Sequence, residues 1–576
     1  MSVQNLPMIR AVILANVASL LMAACGDGGV DPPPEGGANC DNPAEVVLAV
    51  GQHIVVDPSA SAGCVTIEAQ GPGAVDREYL ITLTSGSGQV TASGVSGPYA
   101  ISVGLHDASA SAPASPQASP RISARNESTP AAFHDRLRQR ERELSATPGN
   151  RVFAQAAPAQ AAPVVPGSEA TFNVCRTTQC NSFDQVTAVA RSVGEKVAIY
   201  LDNNVPAGDP LTQEDLDELA RTFDEFHHPI DVAAFGNESD LDANGVVIVL
   251  LTDAVNALTP DCTNGRILGY FYGGDMLNVT GSNHAEIFYA MVPVPNSGTC
   301  TGATRKNTLD RLKPTLIHEF QHMISFNQHA LVRNSPSEVT WLNEGLSHFA
   351  EELGGTLIPN SECVGFTSCR SQYTSGDLFN AYDYLSDTES HYLVYPSGST
   401  GTLEERGAAW LFVRWLADQF GTDANGSNVT RALVATQQQG AANVAAVTGQ
   451  PFETLVAEWM LAVYLDDLPG FVPLSPRLTY SSWGFRDVFA RNCCGPDKPF
   501  ALAFPFTPVN ASAMPFTDTG NCATTTAPCL RGGSGKHYSL TLPAGTAAVD
   551  VLVARAVGGD ELDPSLVARI SIARIH

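Results

Sequence analysis

In the stretch TLIHEFQHMISF, residues 315–326, His318 and His322 stand four positions apart and Glu319 directly follows the first histidine. On a helix, residues i and i+4 stack on one face. Leu316, Phe320, Met323 and Ile324 recur at helical spacing on another face. Such a helix can lay its apolar stripe on a core and aim both imidazoles into a cleft. Two imidazoles one turn apart are a two-point hold for Zn2+, and a neighbouring carboxylate can take a proton from a metal-activated water. Pro314 reads as a first-turn residue of this helix.

A hydrolytic zinc site uses three protein ligands and keeps one position for water. His329 lies seven residues past His322, roughly 10 Å further along a continuing helix and beyond shared coordination. It reads as a surface histidine. A metzincin pattern needs a helix-breaking Gly and a third His six residues after the second, and those places hold Ser325 and Gln328. The better third donor is in TWLNEGLSHFAEEL, residues 340–353. Leu342, Leu346, Phe349 and Leu353 line one face of that helix, and Glu344, His348 and Glu351 line the opposite one. Glu344 follows His322 by 22 residues, with a turn-like NSPS between.

HEFQH followed by WLNEGLSHFAEE resembles the gluzincin metallopeptidases, and most closely the hyicolysin family of bacterial zinc peptidases. The resemblance covers roughly 170–470 and is strongest over 314–353. It implies a thermolysin-like α+β domain, with His318, His322 and Glu344 as zinc ligands and Glu319 as general base. Thermolysin-like enzymes carry an Asp four residues after the third ligand. Here that place is His348, so His348 and Glu351 are both open as groups supporting the ligands. The oxyanion donor of such enzymes is a Tyr or His, and Tyr373, Tyr382, Tyr384, Tyr392, Tyr395 and His391 are the candidates after Glu344. Residues 285–295, AEIFYAMVPVP, read as the edge strand that pairs with substrate backbone. Aminopeptidase-type relatives have a Gly-x-Met-Glu-Asn signature there. Here Val292 follows Met291, and the one acid, Glu286, lies outside any such signature, which favours an endopeptidase over an aminopeptidase. The remaining alternative is a non-catalytic surface adhesin on a peptidase-like fold; an intact Glu319 argues against it.

These residues need a large scaffold, and the 576-residue chain is long enough for two to four domains. Residues 11–25, AVILANVASLLMAAC, follow Arg10 and form an apolar run too short to span a bilayer but shaped like a signal peptide. Ala23, Ala24 and Cys25 resemble a bacterial lipoprotein box. The expectation is a signal at 1–24, lipidation at Cys25 and a Gly/Pro-rich tether at 25–40. The protein is then exported and membrane-anchored through Cys25, in the periplasm or at the cell surface, or released outside. Lipidation of Cys25 leaves twelve of the 13 cysteines, most in near-sequence pairs that suggest disulfides in an oxidising compartment. Cys493, Cys494, Cys522 and Cys529 allow three pairings. A net charge of −27 excludes a phosphate-tracking surface, so the expected partners are protein or peptide and not nucleic acid.

Strand-like alternation marks 41–105 as an N-terminal β domain and 471–576 as a C-terminal β-sandwich on either side of a peptidase domain at 169–470. Residues 106–168 are rich in Ala, Pro and Ser and read as linker or pro-region, with a charged, solvated helix at 133–145. In ESDLDANGVVIVL, Asp240, Asp242 and Asn244 resemble half a Ca2+ loop. The closing Glu would fall at Leu251, so a tight turn at 244–245 is the stronger reading.

Overall fold

The computed structural model describes residues 37–106, 129–151 and 163–576, apart from 70, 72–74, 207, 298, 398–400, 492–501, 524–526 and 557. Cys25, Cys493 and Cys494 lie outside the described residues, as do the signal-like stretch and most of the tether. Among the described residues no helix is long and apolar enough to cross a membrane.

The alternating segments near both termini do form strands, but they do not form two domains. One sheet orders Ala44–Val46, Cys64–Ile67, Val549–Ala554, Tyr99–Leu105 and Phe516–Gly520; the facing sheet orders Val509–Asn510, Gly535–Leu542, Arg77–Ser85, Ala568–Arg574 and His53–Val56. Arg77–Ser85 is antiparallel to both Gly535–Leu542 and Ala568–Arg574. Inward residues from both ends of the chain, among them Val65, Ile81, Ile101, Leu540, Val551 and Ile570, share one apolar core. The expectation of separate sandwiches at 41–105 and 471–576 is therefore corrected to a single sandwich. Alternation marks a strand but not its partner.

The boundary at 470 also moves. Tyr480, Trp483, Phe485 and Phe489 are buried in the same core as Leu316 and Leu342. Trp483 Nε1 donates to Glu352 at 2.7 Å, and Trp459 Nε1 donates to the Tyr480 hydroxyl at 2.9 Å. Helix Phe452–Leu465 carries Leu461 and Leu465 into a small apolar cluster with Leu80 and Ala573 of the sandwich.

The central body is mixed α/β. Its six-stranded sheet runs Gly269–Phe271, Ile287–Ala290, Val247–Leu251, Val197–Asp202, Phe183–Val193, Glu169–Cys175, with the second, third and fourth of these parallel. Ile287–Ala290 is an inner strand and Gly269–Phe271 is the edge, so the edge-strand role expected for 285–295 passes to its antiparallel neighbour. Glu286 is buried, accepting from Ser239 Oγ and Leu241 N.

Four helices frame the site. The motif helix, Arg305–Phe326, begins nine residues before Pro314, so Pro314 is interior and not in the first turn. A proline there frees the carbonyl four residues back. Gln372 Nε2 donates to that carbonyl, Asp310 O, at 3.0 Å. Leu312, Leu316, Phe320, Met323 and Ile324 bury its apolar face. The acid helix, Thr340–Leu357, packs on the backing helix, Leu403–Phe420, through Gly345, where a Cβ would stand 2.9 Å from Ala409 O. The fourth, Thr129–Ala146, arises from the Ala/Pro/Ser-rich region. It is not solvated: Phe133 and Leu137 are in a core with Tyr270 and Ile287, and Asp135, Arg138 and Glu141 are buried.

Disulfides join Cys40–Cys64, Cys175–Cys180, Cys262–Cys300, Cys363–Cys369 and Cys522–Cys529, each pairing sequence neighbours among the described cysteines.

Candidate metal centre

The motif and acid helices bring three donor groups together. His318 Nε2 and His322 Nε2 are 3.1 Å apart; His318 Nε2 is 3.6 Å from Glu344 Oε2, and His322 Nε2 is 3.7 Å from Glu344 Oε1. Ligands on a tetrahedral Zn2+ at about 2.1 Å stand roughly 3.4 Å from one another. The three side chains therefore fit such an ion. Glu344 Oε1 is fully buried with no hydrogen-bond partner, an acceptor that a cation would satisfy.

The far side of each donor is held. Glu351 Oε1 accepts from His318 Nδ1 at 2.7 Å. His322 Nδ1 meets Asn343 Oδ1 at 3.1 Å and Ser347 Oγ at 2.9 Å. Arg406 of the backing helix donates to Glu344 Oε2 and, at 3.0 Å, to Asp135 Oδ1 of the N-terminal helix. His348 Nδ1 lies 3.0 Å from Glu351 Oε1 and 2.7 Å from Asp377 Oδ1. His348 and Glu351 thus both stand behind or beside His318; only Glu351 contacts its Nδ1.

Glu319 has two differently placed oxygens. Phe271 N, on the edge strand, donates to Oε2 at 2.7 Å, while Oε1 is 3.8 Å from His134 Nδ1. The edge strand is in turn tied to the N-terminal helix. Arg138 Nη2 donates to Phe271 O at 2.5 Å, and Glu141 Oε1 accepts from Gly273 N at 2.7 Å.

The electrostatics follow from burial and charge. Burial raises the Glu319 carboxyl above its usual range. Burial acts the same way on Glu344, but Arg406 and the paired imidazoles outweigh it and hold this carboxyl well below the usual range. Burial also opposes charge on His318, yet the neighbouring carboxylates of Glu344 and Glu351 push it up to about 10. Burial pulls His322 well down.

A cleft of about 660 Å³ reaches His318 and Glu319, walled by Leu268, Gly269 of the edge strand, His134, Phe366, Tyr373 and Leu403. His329 is outside it. A π-helical turn, Asn327–Val332, carries His329 into the interior, 3.8 Å from Glu338, so the expected surface histidine is fully buried. Asp240 and Asp242 lie elsewhere. They accept from Gly245 N and Asn244 N, and Asn244 Oδ1 accepts from Val246 N, bonds that close a turn; Leu251 is in a strand. These bonds are those of the tight turn and lend calcium no support.

His134, Asp135, Arg138, Asn343, Ser347 and Arg406 were not singled out from sequence. For the first three a signal existed: Phe133, Leu137 and Leu144 form a sparse apolar stripe within the charged run. Arg406 carried none, because its partners lie 62 and 271 residues away.

No protein-family profile matches the chain. It is 28% identical over 264 residues to the neutral metalloprotease ShpI of Staphylococcus hyicus, covering 44% of this chain. The match spans 58% of that relative's length. Among solved structures, an M1 zinc metallopeptidase of Deinococcus radiodurans, a point mutant, aligns at 13% identity with a TM-score of 0.28, over 51% of this chain and 61% of that one. The same mutant bound to a Tyr-Ser-Ala substrate aligns at 13% identity with a TM-score of 0.23, over 50% of this chain and 55% of that one. Over the matched residues the chain thus resembles a bacterial neutral metalloprotease.

Proposed function

We propose that this chain is a zinc-dependent endopeptidase acting on extracytoplasmic proteins or peptides. The observation that carries the reading is the convergence of His318 Nε2, His322 Nε2 and the unpartnered Glu344 Oε1 beside the Glu319 carboxylate. His318, His322 and Glu344 would hold Zn2+, which when bound supplies Lewis acidity to the scissile carbonyl and the attacking water. Glu319 is the general base. Phe271 N fixes Oε2, and Oε1 takes the water proton and delivers it to the leaving amine. The raised affinity of this buried carboxylate for a proton suits that task. Glu351 and the Asn343–Ser347 pair occupy the Nδ1 atoms, which would leave both Nε2 atoms to hold the metal.

Substrate backbone would lie along the edge strand Gly269–Phe271. Three acids line the cleft: Asp310 pairs with Lys306, Glu351 holds two histidines, and Glu319 is the base. Among the described residues of the cleft, no acid is left over to hold a free N-terminal amine, which supports internal cleavage. The lipoprotein-like run ending at Cys25 supports export and anchoring.

The test is metal analysis with proteolysis. The full chain should hold about one zinc and cleave unfolded casein. Glu319→Gln should keep the metal and lose cleavage, and Glu344→Ala should lose the metal. Acetylated peptides should be cleaved as well as free ones. A zinc-free, inert wild type would end the reading.

A further inference from the structure

The N-terminal helix places one imidazole on the cleft wall that neither the three-donor group nor its supports use. His134 is 9% exposed, its Nδ1 has no hydrogen-bond partner, and that atom stands 3.8 Å from Glu319 Oε1, too far for a direct bond. Its ring centroid is 6.5 Å from that of His318. A buried nitrogen without a partner calls for an explanation. We propose that His134 is a further catalytic residue, donating a hydrogen bond to the peptide oxygen that gains negative charge as the carbonyl is attacked. This inference rests on the peptidase reading above.

Three observations support the assignment. The first is elimination. Of the six Tyr and His candidates after Glu344, only Tyr373 lines the cleft, and its hydroxyl is engaged by His227 Nε2 at 2.8 Å. The second is position. The candidate metal-binding groups, whose donor atoms lie within 4.8 Å of one another, do not include His134, so it stands beside the centre and is not a fourth ligand of it. The third is rigidity. Phe133 packs edge-on against Tyr270 at 5.3 Å, Asp135 is bonded to Arg406, and Arg138 is bonded to the Phe271 carbonyl. An imidazole on so fixed a helix is preorganised, which is what makes an oxyanion donor effective. No proton leaves His134 in this step; Glu319 carries the proton and His134 only donates a hydrogen bond. It follows that the helix Thr129–Ala146 belongs to the working enzyme and is not an expendable piece of linker.

The experiment uses the full chain with zinc, an internally quenched peptide built on a mapped casein cleavage site, and a phosphonamidate analogue of that peptide. His134→Ala should lower kcat about 10²–10³-fold with KM and zinc content unchanged. Phosphonamidate affinity should fall by a similar factor, and His134→Gln, which restores an N–H donor, should recover part of both losses. Folding is checked by zinc content and circular dichroism for both variants. A zinc-loaded His134→Ala with unchanged kcat and phosphonamidate affinity would make His134 merely structural and overturn the proposal. A more active variant would make the helix inhibitory, with the same consequence. If the loss instead follows His348→Gln, at another cleft residue with a buried, unpartnered Nε2, the role belongs there. A wild type that binds neither zinc nor the phosphonamidate removes the peptidase reading, and this inference with it.

Discussion

Glu351 Oε1 stands 2.7 Å from His318 Nδ1. The two residues are 33 positions apart, on different helices, and the contact turns His318 Nε2 toward Glu344. An outer carboxylate of this kind typically strengthens metal binding 10- to 100-fold. Glu351→Ala should therefore weaken zinc affinity by about that factor, measured by competition with a chromophoric chelator at fixed pH. Unchanged affinity would show that the carboxylate serves His348 alone.

Asp135 and Glu344 share Arg406, and all three are buried. Removing Asp135 leaves the Arg406 charge paired with Glu344 but strands one of its buried donors, at a cost of about 1–3 kcal/mol. Asp135→Ala should lower the urea midpoint by that equivalent with little change in m-value. A surface-like effect below about 0.5 kcal/mol would restore the solvated-linker picture of this helix.

How far the sequence could be read depended on whether the deciding contact was local. His318, His322 and Glu344 were legible because helical period alone puts each on a face opposite an apolar stripe. The strand Arg77–Ser85 was legible from its alternation, but its partners begin 450 residues later, and nothing in a strand's own pattern names them. Pro314 marked a helix start by local rule, and the rule failed because Gln372, 58 residues on, accepts the task of satisfying the freed carbonyl. The run at 133–145 looked solvated because its charges outnumber its apolar residues. Their partners, Arg406, Phe271 and Gly273, are supplied only by the fold.

The Cys262–Cys300 disulfide closes a 38-residue loop that includes the edge strand and the cleft residues Leu268 and Gly269. Chain entropy alone assigns such a loop about 4 kcal/mol, and native disulfides commonly contribute 2–5 kcal/mol. The Cys262→Ser, Cys300→Ser double variant should unfold at lower urea by about 2–4 kcal/mol. Reductant should destabilise the wild type but leave this pair's contribution absent in the variant. Equal stability of the two proteins would show that the wall of the cleft needs no cross-link.

Glu286 offers a pH test independent of the candidate metal centre. Burial, with Asp242 adding repulsion, pushes its carboxyl up to about 7, while Ser239 and Leu241 N–H only partly offset this. The folded state thus holds the proton more tightly than the unfolded chain, where the value is about 4.3. The stabilising contribution is complete below about pH 4.3 and is lost as pH rises through about 7. The full swing is on the order of 3 kcal/mol. Glu286→Gln keeps an acceptor for Ser239 and Leu241 but cannot ionise. Urea unfolding at pH 5 and pH 8 should show the wild type losing more stability than the variant between the two, with the variant the more stable protein at pH 8. Parallel pH profiles for the two proteins would mean that Glu286 stays ionised in the fold, and that a cation or an unseen donor neutralises it beside Asp240 and Asp242.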